Sequence, residues 1–251
     1  MKKLVTILLL LISLPAAARQ FDIELIIFKR LVDPEQQSES WPNHLPPIDF
    51  SNVGSFEDTA YKQSKGVSVR NSYQLSNQVT RLNKHAGYQV LMHKVWRQGD
   101  QGKAYAPKFH IRAGKDYSTS FNTDGSEKRN VSNSDLGEFN ELTIDSPLYE
   151  LDGELQVYVQ HYLFLETTLD LKAPGTRDVV VESLEQDIVV SSPETDDTVQ
   201  FGEMKQITPI VQQEKFLKSY RMKQKRRMRS SETHYLDHPL LGIIVQVRKV
   251  Q

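Results

Sequence analysis

The sequence predicts an α+β fold, a single domain in which a mostly antiparallel β-sheet carries few helices and long loops. Apolar residues alternate with a period of two in more segments than show helical spacing, and polar stretches separate these segments. Residues 19–251 leave room for one large domain or two small ones. With 38% apolar and 25% charged residues, the composition is typical of an ordinary globular protein.

Residues 1–18 are predicted to be a secretory signal peptide. Two lysines precede a largely apolar run from Leu4 to Ile12, and small residues lie before Arg19, where a signal peptidase would cut. The run is shorter than the roughly 20 apolar residues that span a bilayer. The chain has no cysteine, which rules out disulfides and lipid attachment to a cysteine. We therefore expect a periplasmic mature protein without a transmembrane anchor.

Charge is distributed unevenly along the chain. Without residues 1–18 it loses two of 31 basic residues and none of 32 acidic ones, so about three net negative charges remain. Residues 130–171 contain nine acidic residues and no Lys or Arg, and a second acidic block spans residues 178–203. Residues 215–229 instead carry eight positive charges and no acid. The basic segment either pairs with the acidic one across a sheet or meets an anionic partner.

The first predicted strand and the segment after it differ sharply. Residues 21–28 are rich in Ile, Leu and Phe, which predicts a largely buried strand. Residues 33–66 contain several prolines and few apolar positions, which predicts a long irregular excursion. Such loops usually cover or bind something, which draws attention to Trp41 and to Pro46-Pro47. Alternatively, Trp41 simply packs its own loop down.

A helix and a second strand are expected next. Apolar residues recur at helical spacing between residues 75 and 86, with Ser72 or Ser76 as the N-terminal cap and Gly87 as the stop. Residues 88–97 then alternate with a period of two. The order strand, loop, helix, strand suggests a crossover unit.

Further strands are predicted in the second half of the chain. Residues 104–112 form one, and the clear alternation over residues 153–171 indicates a long strand, or two strands with a bulge. Residues 187–191 are a short candidate strand. The last strand, residues 240–250, is expected in the main sheet beside residues 21–28, because both are apolar over many positions.

The basic segment, residues 214–229, has two open geometries. As a strand it places five cations on one face; these are Arg221, Lys223, Lys225, Arg227 and Arg229. As a helix it would scatter charge on all sides and bury little. Export excludes nucleic acid as the partner, and the abundant periplasmic polyanions are lipopolysaccharide and the peptide carboxylates of peptidoglycan. The predicted binding residues are Lys223, Lys225, Arg226, Arg227 and Arg229.

Catalytic and metal-binding motifs are weak. His234, Asp237 and His238 lie close together, so a metal site is conceivable, but Pro239 forces an extended conformation and no third ligand motif follows. We expect these side chains to be structural and to hold no metal. The sequence lacks the usual nucleophile motifs and a phosphate-binding loop, and carboxylate pairs cannot be identified from sequence alone. No catalytic residue and no cofactor are therefore predicted.

Two C-terminal blocks are distinctive: residues 225–232 read KRRMRSSE and residues 234–239 read HYLDHP. With Leu241-Gly242-Ile243, the start at Arg19 to Phe28, and the strand with Tyr162-Leu163, they resemble the CsiV family of gammaproteobacterial periplasmic proteins. The resemblance implies a non-enzymatic peptidoglycan-binding protein that supports cell-wall synthesis and cell shape. It also implies a partner, the outer-membrane lipoprotein that activates a class A penicillin-binding protein.

Other classes of function remain open from the sequence. An envelope assembly factor or chaperone would bind a protein client and not the wall. A wall hydrolase has no motif to support it. We therefore expect a periplasmic binding protein and adaptor.

Overall fold

The computed structural model describes residues 19–128, 146–181 and 210–250. The predicted signal peptide, residues 1–18, and the short strand expected at residues 187–191 lie outside these ranges. No helix among the described residues has the length and apolar character needed to span a membrane.

The described part of the chain contains nine strands and two α-helices. The strands are β1 (Gln20–Arg30), β2 (Ser68–Arg70), β3 (Tyr88–Gly99), β4 (Lys108–Asp116), β5 (Tyr149–Gln160), β6 (Tyr162–Val181), β7 (Ile210–Met228), β8 (Thr233–Asp237) and β9 (Leu241–Lys249). The helices are α1 (Thr59–Lys65) and α2 (Ser76–Lys84). Strands predominate, as the sequence predicts.

The strands form two antiparallel sheets. The larger sheet has the order β2-β3-β1-β9-β8, and the smaller has the order β4-β5-β6-β7. The predicted crossover unit is wrong, because β1 and β3 are antiparallel neighbours. A parallel pair would need the helix to carry the chain back across the sheet, whereas here the chain simply returns beside β1.

The two sheets share one hydrophobic core. Alternate residues of β1, including Ile23 and Leu25, lie in the same buried cluster as Phe109 of β4 and Leu155 of β5. The opposite face of the larger sheet packs against α2. There Leu75 forms a second buried cluster with Ile26 and Phe28 of β1. Because β1 is buried on both faces, it reads as a nearly continuous apolar run.

The predicted position of the last strand is confirmed. β9 pairs with β1 in the register Ile27 to Ile243, and it lies between β1 and β8 in the larger sheet. It is therefore an interior strand and not an exposed edge. Hydrogen bonds to the strands on both sides satisfy its backbone N–H and C=O groups.

The alternation over residues 153–171 hides a reversal of chain direction. β5 and β6 are antiparallel partners, Gln160 opposes Tyr162, and His161 between them has a φ of 60°. The long strand or bulged pair expected there is wrong. A turn of one residue leaves the two-residue alternation almost uninterrupted, so the pattern alone does not reveal it.

The capping of α2 also differs from the prediction. Neither Ser72 nor Ser76 caps the helix, whose N-cap position is Leu75. The buried carboxylate of Glu24 on β1 accepts hydrogen bonds from the backbone N–H groups of Gln74 and Leu75, both at 2.8 Å. A side chain of the sheet therefore satisfies the free donors at the helix start. His85, and not Gly87, ends the helix in an extended conformation.

Candidate functional site

The basic segment forms strand β7, so the strand geometry is correct. Among the described strands β7 pairs only with β6, which makes it an edge of the smaller sheet. Tyr220, Met222 and Met228 on its inner face are buried in the shared core. The alternating cations on its other face point away from the core.

All five predicted binding residues are exposed, but they do not share one face. Lys223, Lys225 and Arg227 lie on the outer face of β7. Arg226 lies on the opposite face, in phase with Met222 and Met228, and Arg229 follows the end of the strand. The outer face therefore presents a shorter cationic row than the predicted one of five.

Arg221 does not belong to that row, because its charge is already paired. Its guanidinium donates two hydrogen bonds of 2.7 Å to the carboxylate of Asp170 and a third to the carbonyl oxygen of Pro46. The hydrogen bonds that Arg221 donates to Asp170, together with the charge of that carboxylate, raise the pKa of Arg221 in spite of its burial. Arg221 thus ties β7, β6 and the loop at Pro46 together.

The proposed pairing of basic and acidic segments holds for only part of the basic segment. Besides the pair of Arg221 with Asp170, Arg229 lies 3.6 Å from Glu232, which is only three positions further along the chain and belongs to neither acidic block. Within residues 19–128, 146–181 and 210–250, no ion pair involves Lys223, Lys225, Arg226 or Arg227. Most of the second acidic block lies outside those ranges.

Aromatic side chains lie directly beside the unpaired cations. Tyr162 and Phe164 of β6 share the outer face, and the Phe164 ring stacks on Tyr158 of β5 with centroids 5.5 Å apart. The Lys225 ammonium lies 5.1 Å from the Phe164 ring centroid, and the Arg227 guanidinium carbon lies 4.3 Å from that of Tyr162. We call Tyr162, Phe164, Lys225 and Arg227 the aromatic–cation surface.

The acid nearest to this surface is neutralised by another residue. Lys103 donates from its ammonium to Glu166, at 2.7 Å, and Tyr158 donates its hydroxyl to the same carboxylate. Burial alone would raise the pKa of Glu166, but the hydrogen bond and charge of Lys103, with Tyr158 and Lys225, lower it overall. The carboxylate is therefore ionised and engaged, and Lys225 remains available on the outer side.

The proline-rich excursion covers the other end of the same sheet face. Phe50 stacks on His110 of β4 at 4.1 Å, and the loop at Pro46 borders a cavity of about 330 Å³ with Arg221 and Asp170. The excursion thus covers part of the sheet, as its length suggested. It leaves the aromatic–cation surface uncovered at the end near the β5–β6 turn.

Trp41 packs its loop onto the core. Its ring lies 5.5 Å from Tyr220 and 5.1 Å from His238. Burial lowers the pKa of His238, so this imidazole is neutral at pH 7. Trp41 is therefore a packing residue at the meeting point of the excursion, β7 and the segment before β9.

The three residues of the conceivable metal site make protein contacts instead. The backbone N–H of Arg229 donates to His234 Nε2 at 3.0 Å, and that of Leu240 donates to His238 Nδ1 at 3.3 Å. Asp237 accepts from Arg30 and from the Tyr235 hydroxyl. In the part of the chain that the structure describes, no three His, Cys, Asp or Glu side chains converge as metal ligands would.

We predict that a chelator leaves the stability of the protein unchanged. Since a structural metal couples its binding to folding, its removal by EDTA would lower the melting temperature, whereas contacts like those of His234 and His238 are indifferent to it. A thermal melt before and after dialysis against EDTA measures this. A stoichiometric metal in protein purified without added metal, lost together with stability on chelation, would contradict the prediction.

Sequence reasoning identified the cations but missed the aromatic half of the surface. Tyr158, Tyr162 and Phe164 are separated by even numbers of residues, but nothing in the sequence aligns them with β7. Their proximity depends on the β6–β7 register, in which Phe164 opposes Arg227 and Glu166 opposes Lys225. That register joins segments far apart in sequence.

A family model described as "Peptidoglycan-binding protein, CsiV" matches residues 2–250, nearly the whole chain. No curated protein and no solved structure matches the sequence.

Proposed function

Because the chain belongs to the CsiV family of peptidoglycan-binding proteins, we propose that it is a periplasmic, non-enzymatic protein that binds peptidoglycan and supports cell-wall synthesis. The family match is the observation that carries the proposal. In this proposal residues 1–18 are the cleaved signal peptide, and residues 19–251 form a single binding domain.

The binding surface in this proposal contains Lys223, Lys225, Arg226, Arg227 and Arg229. All five are exposed, and four of them have no ion pair among the described residues. The peptide stems of peptidoglycan carry carboxylates, which a guanidinium group can bind through two parallel hydrogen bonds. An edge strand rich in unpaired cations is suited to such a ligand.

The biological role we propose is that of an adaptor. The protein would hold the wall and assist the outer-membrane lipoprotein that activates a class A penicillin-binding protein. This part rests on the family resemblance of the blocks around Arg227 and Asp237. A pull-down of the lipoprotein with the purified chain, with and without sacculi, tests it directly.

Co-sedimentation with isolated sacculi tests wall binding. We expect the wild-type chain to sediment with sacculi and retention to fall as salt rises, because exposed charges are screened within about 8 Å at physiological salt. Replacing Arg227 and Arg229 by Ala should lower retention severalfold while the melting temperature stays nearly constant, since exposed charges add little stability.

A matched control removes the same number of charges elsewhere. Arg81 and Lys84 lie in the last turn of α2 and are exposed, so their replacement by Ala should leave retention unchanged. If retention survives the Arg227 and Arg229 changes while the melting temperature falls, the arginines are structural instead. Wild-type protein that stays in the supernatant would favour a chaperone, and release of labelled wall fragments would indicate a hydrolase.

A further inference from the structure

We propose that the aromatic–cation surface recognises the carboxylates of the wall's peptide stems and not its sugar rings. This inference rests on the proposed function and adds the chemical group that is bound. It depends on how Lys225 and Arg227 are held, on which ring faces are covered, and on the charge of the surface.

Both cations are displaced in the same direction along the sheet. In the strand register Lys225 opposes Glu166 and Arg227 opposes Phe164. The Lys225 ammonium nevertheless lies over Phe164, and the Arg227 guanidinium lies over Tyr162. Each of these rings is two residues closer to the β5–β6 turn than the residue directly opposite the cation. Diagonal neighbours of this kind are within reach of long side chains, and the rings therefore fix where both charges lie.

The contact with Tyr162 prepares the Arg227 guanidinium to bind a carboxylate. The guanidinium carbon lies over the ring, 4.3 Å from its centroid, and no described residue accepts a hydrogen bond from the group, so its N–H groups stay available. A carboxylate accepts two parallel hydrogen bonds from such a group. Because the side chain is already ordered, less conformational entropy is lost on binding.

The same contacts make a sugar ring a poor occupant. A sugar would need an open aromatic face, but Arg227 covers one face of Tyr162, and the Lys225 ammonium lies over both Phe164 and Tyr158, at 5.1 Å and 6.0 Å from their ring centroids. Tyr162 is 55% exposed, so a ligand that meets this ring also meets the guanidinium over it. The surface therefore offers positive charge outward.

The charge of the surface selects an anion. Its nearest acid, Glu166, is held by Lys103, and no described residue forms an ion pair with Lys225 or Arg227. The two cations are two positions apart on one strand, which is about 7 Å along the chain. A peptide stem carries more than one carboxylate, so neighbouring carboxylates of one stem can contact both cations.

The test compares three wall preparations with the full-length protein. These are intact sacculi, glycan strands from which an amidase has removed the stems, and free stem peptides as a competitor. We expect retention on intact sacculi, loss of retention on the stripped glycan, and displacement by the free stems. Retention on stripped glycan equal to that on intact sacculi would overturn this inference while the proposed wall binding stands.

Single substitutions locate the contact. Arg227→Ala should weaken binding to sacculi about tenfold, the size of one charge-assisted hydrogen-bonded contact. Arg227→Lys should restore little, because an ammonium lacks the planar fork, and Tyr162→Ala should also weaken binding by freeing the guanidinium. Arg81→Ala is the matched control, since Arg81 is an exposed arginine of α2 that lies outside the proposed binding surface, and this variant should bind as wild type does.

The outcomes separate the two proposals. Equal losses for Arg81→Ala and Arg227→Ala would mean general charge attraction and would overturn the specific surface. Failure of the wild-type protein to bind intact sacculi would instead overturn the proposed function, and binding to an acidic protein alone would point to that class of partner. A thermal melt of each variant confirms that the losses are not caused by unfolding.

Discussion

Ile243→Asp is expected to destabilise the protein by about 4 kcal/mol, the scale on which a buried charge without a partner is penalised. Ile243 is completely buried on β9, where it opposes Ile27 of β1 and Leu236 of β8. An aspartate there would have apolar side chains on both flanking strands. Either the carboxylate stays ionised in the core or it binds a proton, and both cost free energy.

A thermal melt measures this effect. For a domain of 150–250 residues, 1 kcal/mol corresponds to about 2–4 °C, so we expect the melting temperature to fall by about 10 °C. Lys249→Asp is the control, since Lys249 is the exposed last residue of the same strand. A melt of Ile243→Asp that matches the wild type would contradict the interior position of β9.

Glu24→Ala is expected to cost about 3–5 kcal/mol, the usual range when one partner of a buried ion pair is removed. The Glu24 side chain is completely buried. Besides the backbone of Gln74 and Leu75, it accepts from Arg248 at 3.0 Å and contacts His93 Nε2 at 2.9 Å. Without the carboxylate, Arg248 and the start of α2 lose their acceptor.

The effect of Glu24→Ala should depend on pH. Burial alone would raise the pKa of Glu24, but the hydrogen bonds from Gln74, Leu75, His93 and Arg248 lower it below 4.5 overall. A carboxyl whose pKa is lower in the folded state stabilises the protein above its unfolded pKa and loses this contribution as pH falls through the folded value.

Urea denaturation at pH 7 and in steps below pH 4.5 tests this prediction. The difference in stability between wild type and Glu24→Ala should be largest at pH 7 and shrink as the wild type is acidified. Glu57→Ala is the control, because the Glu57 carboxylate is mostly exposed and pairs with Lys94 at 3.5 Å. A difference that stays constant with pH would show that the charge of Glu24 does not contribute.

Strand positions were predictable where burial on one or both faces produces an alternating or continuous run of apolar residues. Residues 21–28 and 240–250 read as strands because most of their side chains face apolar layers, and the same property predicted that they lie together. The reversal at His161 was not predictable. A residue with positive φ is usually glycine, and a single histidine without a neighbouring Gly, Pro or Asn is too weak a turn signal to mark a reversal.

The site was predictable only where it depends on the alternation of residues within a single strand. The period of two indicated that Lys223, Lys225 and Arg227 share a face, and that they are exposed. It could not show that Asp170 pairs with Arg221, or that Tyr162 supports Arg227, because both depend on the register between strands. The cap of α2 is equally non-local, since Glu24 lies 51 positions before Leu75.

The adjacency of β1 and β9 has a consequence for how the chain folds. Glu24 and Arg248 are hydrogen-bonded across 224 positions, so the central pairing of the larger sheet has a very high contact order. Folds of this kind form slowly, on the millisecond to second scale or longer, because a long loop must close before its contacts stabilise it. Until β9 arrives, one edge of β1 has no hydrogen-bonding partner, and its apolar residues make this interval the stage most prone to aggregation.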